Sequence, residues 1–280
     1  MDLKTFIRQA LSEDIGDGDH TTLASIPAQA TGSAQMIMKE NGVIAGVNVA
    51  LQVFKEADGD LAAKVFKRDG DRVHKGDVIL TVEGHVHPIL RSERLVLNII
   101  QRMSGIATTT EKYVEKIKGT KARLLDTRKT TPGFRYFEKE AVRIGGGFNH
   151  RFGLYDMILI KDNHIDYAGG VTNAVKSVQK YLSETSNKLW VEIEARNLED
   201  VANILKTGGV NRIMLDNFTP EQIKKAVEMV DGAYETEASG GITLENIRRY
   251  AEAGVDYISV GALTHSYKSL DISLKAIISH

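Results

Sequence analysis

The 280-residue chain contains no cysteine, which excludes a disulfide framework, a Cys-ligated metal site and a thiol nucleophile. It also lacks an apolar run of about 18 residues, the length of a membrane-spanning helix, and its N-terminus has no signal-peptide core. Neither charge is in excess, since 36 Lys and Arg oppose 37 Asp and Glu. We therefore expect a cytoplasmic protein that binds neither nucleic acid nor membranes.

The N-terminal third alternates between helical and β-like apolar patterns. Helical spacing covers residues 3–11 and 47–54, and β-like runs separated by Gly-containing turns cover residues 34–38, 61–66 and 77–82. This order predicts an α+β sandwich domain over residues 1–105. Apolar spacing also predicts a helix over residues 92–103, which Gly105 ends before another helix over residues 107–118.

From residue 121 a unit repeats in which a short apolar run is followed by a helical pattern. The runs cover residues 122–125, 157–160, 189–193, 212–215, 234–238 and 255–260. Such units are typical of parallel, buried strands, and they favour a small α/β barrel over an open doubly wound sheet, although periodicity leaves closure open. The tail, residues 268–280, has helical spacing over residues 272–278, and we expect it to pack back on the N-terminal domain.

The strand ends of a parallel barrel converge on one mouth, where catalysis takes place. The residues at the predicted ends are Asp126, Lys161, Glu194, Asp216, Ser239 and Gly261. Glu194 and Asp216 end consecutive strands, and paired carboxylates can hold Mg²⁺, bind ribose hydroxyls or stabilise an oxocarbenium-like centre. Glu192 is the alternative to Glu194, because it lies two residues earlier on the same strand face.

Residues 121–161 carry nine Lys and Arg against four Asp and Glu, a local charge of +5. Because Gly-containing loops at residues 130–133 and 145–147 let side chains converge, this segment predicts a polyanion site rather than a solvated basic face. Glycine-containing turns at residues 239–242 and 260–262 follow neighbouring strands. They predict a phosphate cradle of backbone N–H groups and helix N-termini.

Sequence segments throughout the chain resemble the signatures of the quinolinate phosphoribosyltransferase family. They cover residues 13–22, 101–108, 126–135, 145–151, 160–165, 191–194, 214–217, 239–242 and 260–266. The resemblance implies a type II phosphoribosyltransferase-like α/β fold, with an N-terminal α+β open sandwich and an incomplete barrel of six or seven strands over residues 106–267. It also implies transfer of phosphoribosyl from phosphoribosyl pyrophosphate (PRPP) to quinolinate, with Mg²⁺ and loss of CO₂, in NAD biosynthesis.

The resemblance also implies roles for individual residues. Catalysis is assigned to Lys129, Lys161, Glu194 and Asp216, with Glu194 and Asp216 also near the metal and the ribose. The quinolinate pocket is assigned to Thr127, Arg128, Lys129, His150 and Arg151. The 5′-phosphate loops are assigned to Ser239, Gly240, Gly241, Val260, Gly261 and Ala262. Arg102 is expected to enter the site of a second subunit in a homodimer, and a higher assembly such as a hexamer is left open.

Three alternatives are weighed against this interpretation. A paralogous group associated with molybdenum transport has the same fold and an altered acid substrate. A Schiff-base lyase would use Lys129 or Lys161 as its nucleophile. Residues 73–84 resemble the hairpin of biotinyl or lipoyl carrier domains, although no lysine stands at the expected turn.

Overall fold

A computed structural model describes residues 2–278 of the chain. The chain forms two compact units. The first unit comprises residues 1–109, 136–145 and 267–280, and the second comprises residues 110–135 and 146–266.

The described residues form eleven helices and twelve strands. The helices are α1 (Leu3–Ile15), α2 (His20–Ser25), α3 (Val47–Ala57), α4 (Val86–Ile117), α5 (Arg135–Ile144), α6 (Asp162–Tyr167), α7 (Val171–Thr185), α8 (Leu198–Thr207), α9 (Pro220–Val230), α10 (Ile247–Glu252) and α11 (Ala262–His265). The strands are β1 (Thr31–Met38), β2 (Gly42–Val43), β3 (Ala62–Val65), β4 (Arg72–Val73), β5 (Val78–His85), β6 (Arg123–Leu125), β7 (Ile158–Ile160), β8 (Val191–Ala195), β9 (Arg212–Asp216), β10 (Glu235–Ser239), β11 (Tyr257–Ser259) and β12 (Ile272–Ile277).

The first unit is built on a four-stranded antiparallel sheet in the order β12-β1-β5-β3. Ala34, Met36 and Met38 of β1 are buried, because alternate side chains of a strand point to the same face. The amphipathic helices α1 and α3 bury Ile7 and Phe54 in the same unit. The predicted α+β sandwich is confirmed.

The C-terminal segment is a strand, so the predicted helix over residues 272–278 is wrong. β12 pairs antiparallel with β1, with Ile272 opposite Met38 and Leu274 opposite Met36. Ile272 and Leu274 are buried and Ser273 between them is less so, which is the alternation of a strand. A short apolar run fits either periodicity, and the backbone groups along the edge of β1 select the strand because they need hydrogen-bond partners.

α4 runs without interruption from Val86 to Ile117, so the predicted break at Gly105 is wrong. Glycine costs a helix interior about 1 kcal/mol relative to alanine, which a helix of 32 residues tolerates. Glycine is needed here for packing, because a Cβ atom at Gly105 would lie 2.2 Å from the carbonyl oxygen of Lys268. Gly105 therefore marks the close approach of another chain segment to the helix.

The second unit contains the six predicted parallel strands, in the order β6-β11-β10-β9-β8-β7. Each strand is followed by a helical segment, as the repeat predicted. Within the described residues, the edge strands β6 and β7 pair with no further strand except for a bridge from Leu125 to Phe148. The sheet is thus an incomplete barrel, whose strands all end at one edge.

The carrier-domain interpretation of residues 73–84 is wrong. Glu83 and Gly84 lie inside β5 and not at a turn, and α4 begins directly after that strand. The turn at residues 74–77 joins β4 to β5, but β4 pairs with β2 and β5 pairs with β1 and β3, so the two strands do not form the hairpin of a carrier domain. In the part of the chain from residue 2 to residue 278, no helix has both the length and the apolar character needed to cross a membrane.

Candidate active site

The carboxyl ends of the parallel strands in the second unit surround a cavity of about 630 Å³. Its lining is formed by Thr127, Arg128, Lys129, His150, Arg151, Leu159, Lys161, Asp162, Glu194, Met214, Asp216, Asn217, Ser239, Gly240, Gly241 and Ser259. One cavity therefore contains four of the six predicted strand-end residues and four of the nine basic residues of the segment 121–161.

Three cations of this cavity, Arg128, Lys129 and Arg151, form no ion pair with any described carboxylate. The Nε of Arg128 is buried and has no hydrogen-bond partner among residues 2–278. Arg151 donates from Nη1 to the carbonyl oxygen of Met157 at 3.1 Å. Burial, together with the nearby Arg128, lowers the pKa of Arg151. A cluster of cations without carboxylate partners can bind an anion, and planar guanidinium groups match the geometry of a carboxylate.

Lys161 and Glu194 form the ion pair at the centre of the cavity. The Nζ of Lys161 lies 2.7 Å from Oε1 of Glu194, and the backbone N–H of Asp162 donates to Oε2 at 3.1 Å. His164 accepts a hydrogen bond from the backbone N–H of Lys161 on its Nδ1, at 2.9 Å. This contact supplies the role of His164, which the sequence left unexplained: it secures the turn that aims Lys161 and Asp162 at Glu194.

Asp216 is the second acid of the cavity. Burial and the neighbouring Glu194 raise its pKa, and Lys161 offsets part of this shift. Asn217 donates to Oδ2 of Asp216 at 2.7 Å. The two acids at consecutive strand ends both line the cavity, and Glu194 is near enough to influence the pKa of Asp216. Their joint action on a positive charge stays a prediction.

The turn after β10 needs its glycines. Gly240 has a φ of 90°, and a Cβ there would lie 2.2 Å from Oδ1 of Asn217, whereas Gly241 has a φ of 62° and open space beside it. Ser239 and Ser259 are joined through their hydroxyl groups at 3.1 Å. No helix begins near this turn, since α10 starts only at Ile247. The cradle expected here therefore depends on backbone and hydroxyl groups and not on a helix N-terminus.

Two domains of one family match the sequence along almost its full length. Residues 19–104 match the N-terminal domain of quinolinate phosphoribosyl transferase, and residues 106–275 match its C-terminal domain. The chain belongs to the quinolinate phosphoribosyl transferase family.

Individual relatives agree with this assignment. The nicotinate-nucleotide pyrophosphorylase [carboxylating] of Oryza sativa, a chloroplastic protein, is 48% identical over 98% of this chain and 77% of its own length. The probable nicotinate-nucleotide pyrophosphorylase [carboxylating] of Bacillus subtilis is 41% identical over 100% of this chain and 95% of its own length. The crystal structure of NadC from Streptococcus pyogenes superposes with a TM-score of 0.92 at 38% identity and covers 99% of this chain and 97% of that chain.

The second glycine loop assigned by the family resemblance does not line the cavity. Val260 is buried, and Gly261 and Ala262 are outside the lining. Gly261 lies beside Lys129, because a Cβ there would be 3.1 Å from Cδ of Lys129. Thr264 donates from its hydroxyl to the carbonyl oxygen of Lys129 at 2.8 Å. In this structure the loop therefore holds Lys129 in place, and its contact with phosphate stays a prediction.

Asp126 does not face the cavity, contrary to the expectation from its strand end. It is fully buried and accepts hydrogen bonds from Nδ2 of Asn149 and from the backbone N–H of His150, the latter at 2.8 Å. Its carboxylate therefore fastens the loop that carries His150 and Arg151.

Arg102 belongs to the first unit, whereas the other predicted site residues belong to the second. Its Nε donates to Oε1 of the buried Glu138 at 2.9 Å, and its guanidinium lies 4.9 Å from the ring centre of Tyr267. Its entry into the site of a second subunit stays a prediction.

Sequence reasoning named Glu192 and His150 but missed that they form one buried group with Glu237 and Arg212. Glu192 and Glu237 are almost completely buried, and His150 lies within ion-pair distance of both. Burial raises the pKa of each acid, Glu192 adds to the shift at Glu237, and Arg212 opposes the shift at Glu192. The available signal was the two-residue spacing of Glu192 and Glu194 on β8 and of Glu235, Glu237 and Ser239 on β10, which places polar residues in successive layers.

Proposed function

We propose that this chain transfers the phosphoribosyl group of PRPP to quinolinate, releasing pyrophosphate and CO₂ and forming nicotinate mononucleotide for NAD biosynthesis. The observation that carries this proposal is one cavity with three unpaired cations beside an acid pair and a glycine turn. Quinolinate brings two carboxylates and PRPP brings phosphate groups, so the substrates supply the anions that the cavity lacks.

Arg128, Lys129 and Arg151 are the proposed binding residues for the quinolinate carboxylates. Their positive charges orient the pyridine nitrogen toward the ribose, which converts a bimolecular encounter into a positioned attack. Thr127 keeps Lys129 in place, because its hydroxyl accepts a hydrogen bond from the Lys129 backbone N–H at 3.1 Å.

The chemical step is a displacement at the anomeric carbon. The bond from the pyridine nitrogen to that carbon forms while the bond from the carbon to pyrophosphate oxygen breaks, and positive charge develops on the ribose. Glu194 and Asp216 stabilise that charge, and Lys161 stabilises the leaving oxygen. The bond from the ring carbon beside the quaternised nitrogen to its carboxylate then breaks and CO₂ leaves. The electron pair stays on that carbon, where the adjacent positive nitrogen stabilises it, and the carbon takes a proton from water, so no covalent bond to the protein is needed.

Glu194 and Asp216 are also the residues that would hold Mg²⁺. Mg²⁺ prefers oxygen ligands and is commonly held by one or two carboxylates together with substrate phosphates, which is the donor set available here. A bound cation would also oppose the burial and the neighbouring Glu194 charge that together raise the pKa of Asp216. When bound, the ion would neutralise charge on the pyrophosphate.

The glycine turn at residues 239–241 is the proposed site for the 5′-phosphate of PRPP, with Val260, Gly261 and Ala262 as its second loop. Open space beside Gly241 leaves room for the phosphate, and the hydroxyl groups of Ser239 and Ser259 line the same cavity.

We further propose a cytoplasmic homodimer in which Arg102 enters the quinolinate pocket of the neighbouring subunit. Its support is the buried Glu138 that holds Arg102 in one orientation. Sedimentation equilibrium would distinguish a monomer, a dimer and a hexamer. Mixing an Arg102→Ala chain with an Arg151→Ala chain should restore activity if each supplies what the other lacks, and failure to restore any activity contradicts the shared site.

The decisive assay compares quinolinate, nicotinate and no acid, each with PRPP and Mg²⁺, and follows CO₂ and pyrophosphate. Of these three samples, only the one that contains quinolinate is expected to show turnover. Turnover with nicotinate but not quinolinate would favour a paralogue with an altered acid substrate. A Schiff-base role is disfavoured for Lys161 because its Nζ is ion-paired with Glu194. For Lys129 the test is borohydride reduction in the presence of substrate, and failure to trap substrate on the chain would dismiss the lyase.

A further inference from the structure

Four charged or ionisable side chains, His150, Glu192, Arg212 and Glu237, form a cluster beneath the cavity; we call it the buried polar cluster. Glu192 is 1% exposed and Glu237 is 0% exposed. Layers of apolar residues normally fill the inside of a parallel barrel, and buried ion pairs are often no more stabilising than apolar residues of the same size. The proposed reaction touches only His150 of this cluster, so the two acids and Arg212 need another explanation.

Arg212 supports the cluster from below. Its Nη1 lies 3.1 Å from Oε2 of Glu237, its Nη2 donates to Oε2 of Glu235 at 2.9 Å, and its guanidinium stacks 4.0 Å from the ring centre of Tyr257. With three such contacts Arg212 has one orientation, and it fixes the Glu237 carboxylate under His150.

The hydrogen bonds of His150 settle where its ring hydrogen lies. Its Nδ1 accepts a hydrogen bond from the backbone N–H of Arg151 at 2.7 Å, so Nδ1 carries no hydrogen and Nε2 carries it. The Nε2 atom lies 2.9 Å from Oε2 of Glu192 and 3.5 Å from Oε2 of Glu237. The ring thus lies between the carboxylates of Glu192 and Glu237 on its Nε2 side and the backbone N–H of Arg151 on its Nδ1 side.

The same geometry argues against a metal ion in the cluster, although His150, Glu192 and Glu237 place their ligand atoms within 4.8 Å of one another. A metal needs the lone pair of Nε2, and that atom bears the ring hydrogen because Arg151 occupies Nδ1. Arg212 already supplies positive charge to Glu237.

We propose that Glu192 and Glu237 are positioning residues that act through His150 to hold Arg151 in its quinolinate-binding orientation. Asp126 holds the backbone N–H of His150, His150 holds the backbone N–H of Arg151, and the Met157 carbonyl holds the Arg151 guanidinium. The Nδ1 of His150 accepts from Arg151, and its Nε2 is buried and faces the Glu192 carboxylate at 2.9 Å, so the ring forms a wall of the pocket and Nε2 points away from the substrate. The quinolinate part of this proposal rests on the proposed function.

The test compares Glu192→Met, which removes the acceptor at nearly constant volume, with Glu192→Gln, which keeps an acceptor. Binding of quinolinate and of PRPP with Mg²⁺ is measured separately by calorimetry, together with kcat and KM. For Glu192→Met we expect roughly tenfold weaker quinolinate binding, about the effect of losing one close polar contact with a charged group, with PRPP affinity and kcat within about twofold. Glu192→Gln should restore binding to within about threefold.

Glu235→Gln is the matched control, because it alters a contact of Arg212 without touching His150, and it should bind quinolinate like the wild type. Unchanged quinolinate affinity in Glu192→Met, or equal losses for both substrates, would overturn the positioning role. Nitrogen-15 NMR of the histidine rings provides a readout that needs no substrate. It should show His150 with its hydrogen on Nε2 in the wild type and a changed signal in Glu192→Met. The opposite tautomer in the wild type refutes the proposal, whereas a wild type that fails to bind quinolinate refutes only the proposed function.

Discussion

Replacement of Arg128 by methionine should weaken quinolinate binding without weakening the fold. In the ligand-free protein the Nε of Arg128 is buried without a partner, and its charge lies close enough to Arg151 to lower the pKa of that residue. Such a side chain is costly before the substrate arrives and favourable afterwards. A residue that only stabilised the structure would behave in the opposite way.

The magnitude follows from the loss of one charged partner. Truncation of one member of a buried, hydrogen-bonded charge pair costs about 2–5 kcal/mol of binding free energy. Because Lys129 and Arg151 remain in the cavity, we expect the low end, about 2–3 kcal/mol, which corresponds to about 30- to 150-fold weaker binding. Removal of a buried donor that has no partner raises the free energy of unfolding of the ligand-free protein by about 1–3 kcal/mol. The Tm of Arg128→Met should therefore stay constant or rise by a few degrees.

Calorimetric titration with quinolinate and thermal unfolding of the same samples measure both quantities. Arg123→Met is the matched control, because Arg123 stacks 5.4 Å from the ring centre of Phe148 and does not line the cavity. It should bind quinolinate within about twofold of the wild type. Unchanged quinolinate affinity in Arg128→Met, or a Tm lowered by more than about 5 °C, would show that Arg128 serves the fold and not the substrate.

Three further predictions concern glycine packing and pH. Gly240→Ala should lower the stability by about 1–3 kcal/mol and weaken PRPP binding, because its Cβ would clash with Asn217 at a positive φ. Gly241→Ala has open space beside it and should lower the stability by about 1 kcal/mol. Equal effects of the two substitutions in thermal unfolding and PRPP titration would contradict this difference. Gly105→Ala gains about 1 kcal/mol of helix propensity, yet its Cβ would lie 2.2 Å from the Lys268 carbonyl oxygen. We therefore expect a lower Tm, and a higher Tm would refute the close packing. Asp256 accepts hydrogen bonds from Lys121 and Thr236 that outweigh its burial and lower its pKa. A depressed carboxyl pKa gives stability that is present above the unfolded pKa and lost as the pH falls through the folded value. Asp256→Asn should therefore cost about 1–2 kcal/mol at pH 7 in urea unfolding and progressively less below about pH 3.8, and a deficit independent of pH would exclude this cause.

The sequence predicted the parallel strands and most of the cavity because both follow from local rules. Apolar runs of strand length separated by helical patterns imply parallel strands, and parallel strands end at one edge. This rule places Lys161, Glu194, Asp216 and Ser239 at one mouth, and all four line the cavity.

The remaining features depend on which residues each side chain contacts in the folded chain. Of the nine cations between residues 121 and 161, four line the cavity, while Lys121 pairs with Asp256 and Arg143 pairs with Glu140. Asp126 ends its strand like the other acids, yet it is buried and fastens the loop of His150. Composition gives the charge of a segment, but the direction of each side chain depends on what packs against it.

The sequence by itself determined the family, the order of the strands along the chain and the chemical character of the site, because hydrophobic periodicity and residue type are local properties. Only the tertiary structure decided that residues 272–277 pair with β1, that α4 continues through Gly105, and that Glu194 faces the cavity while Glu192 lies below it. These outcomes depend on hydrogen bonds, close contacts and burial between segments far apart in the chain, and no local pattern records which segments will meet.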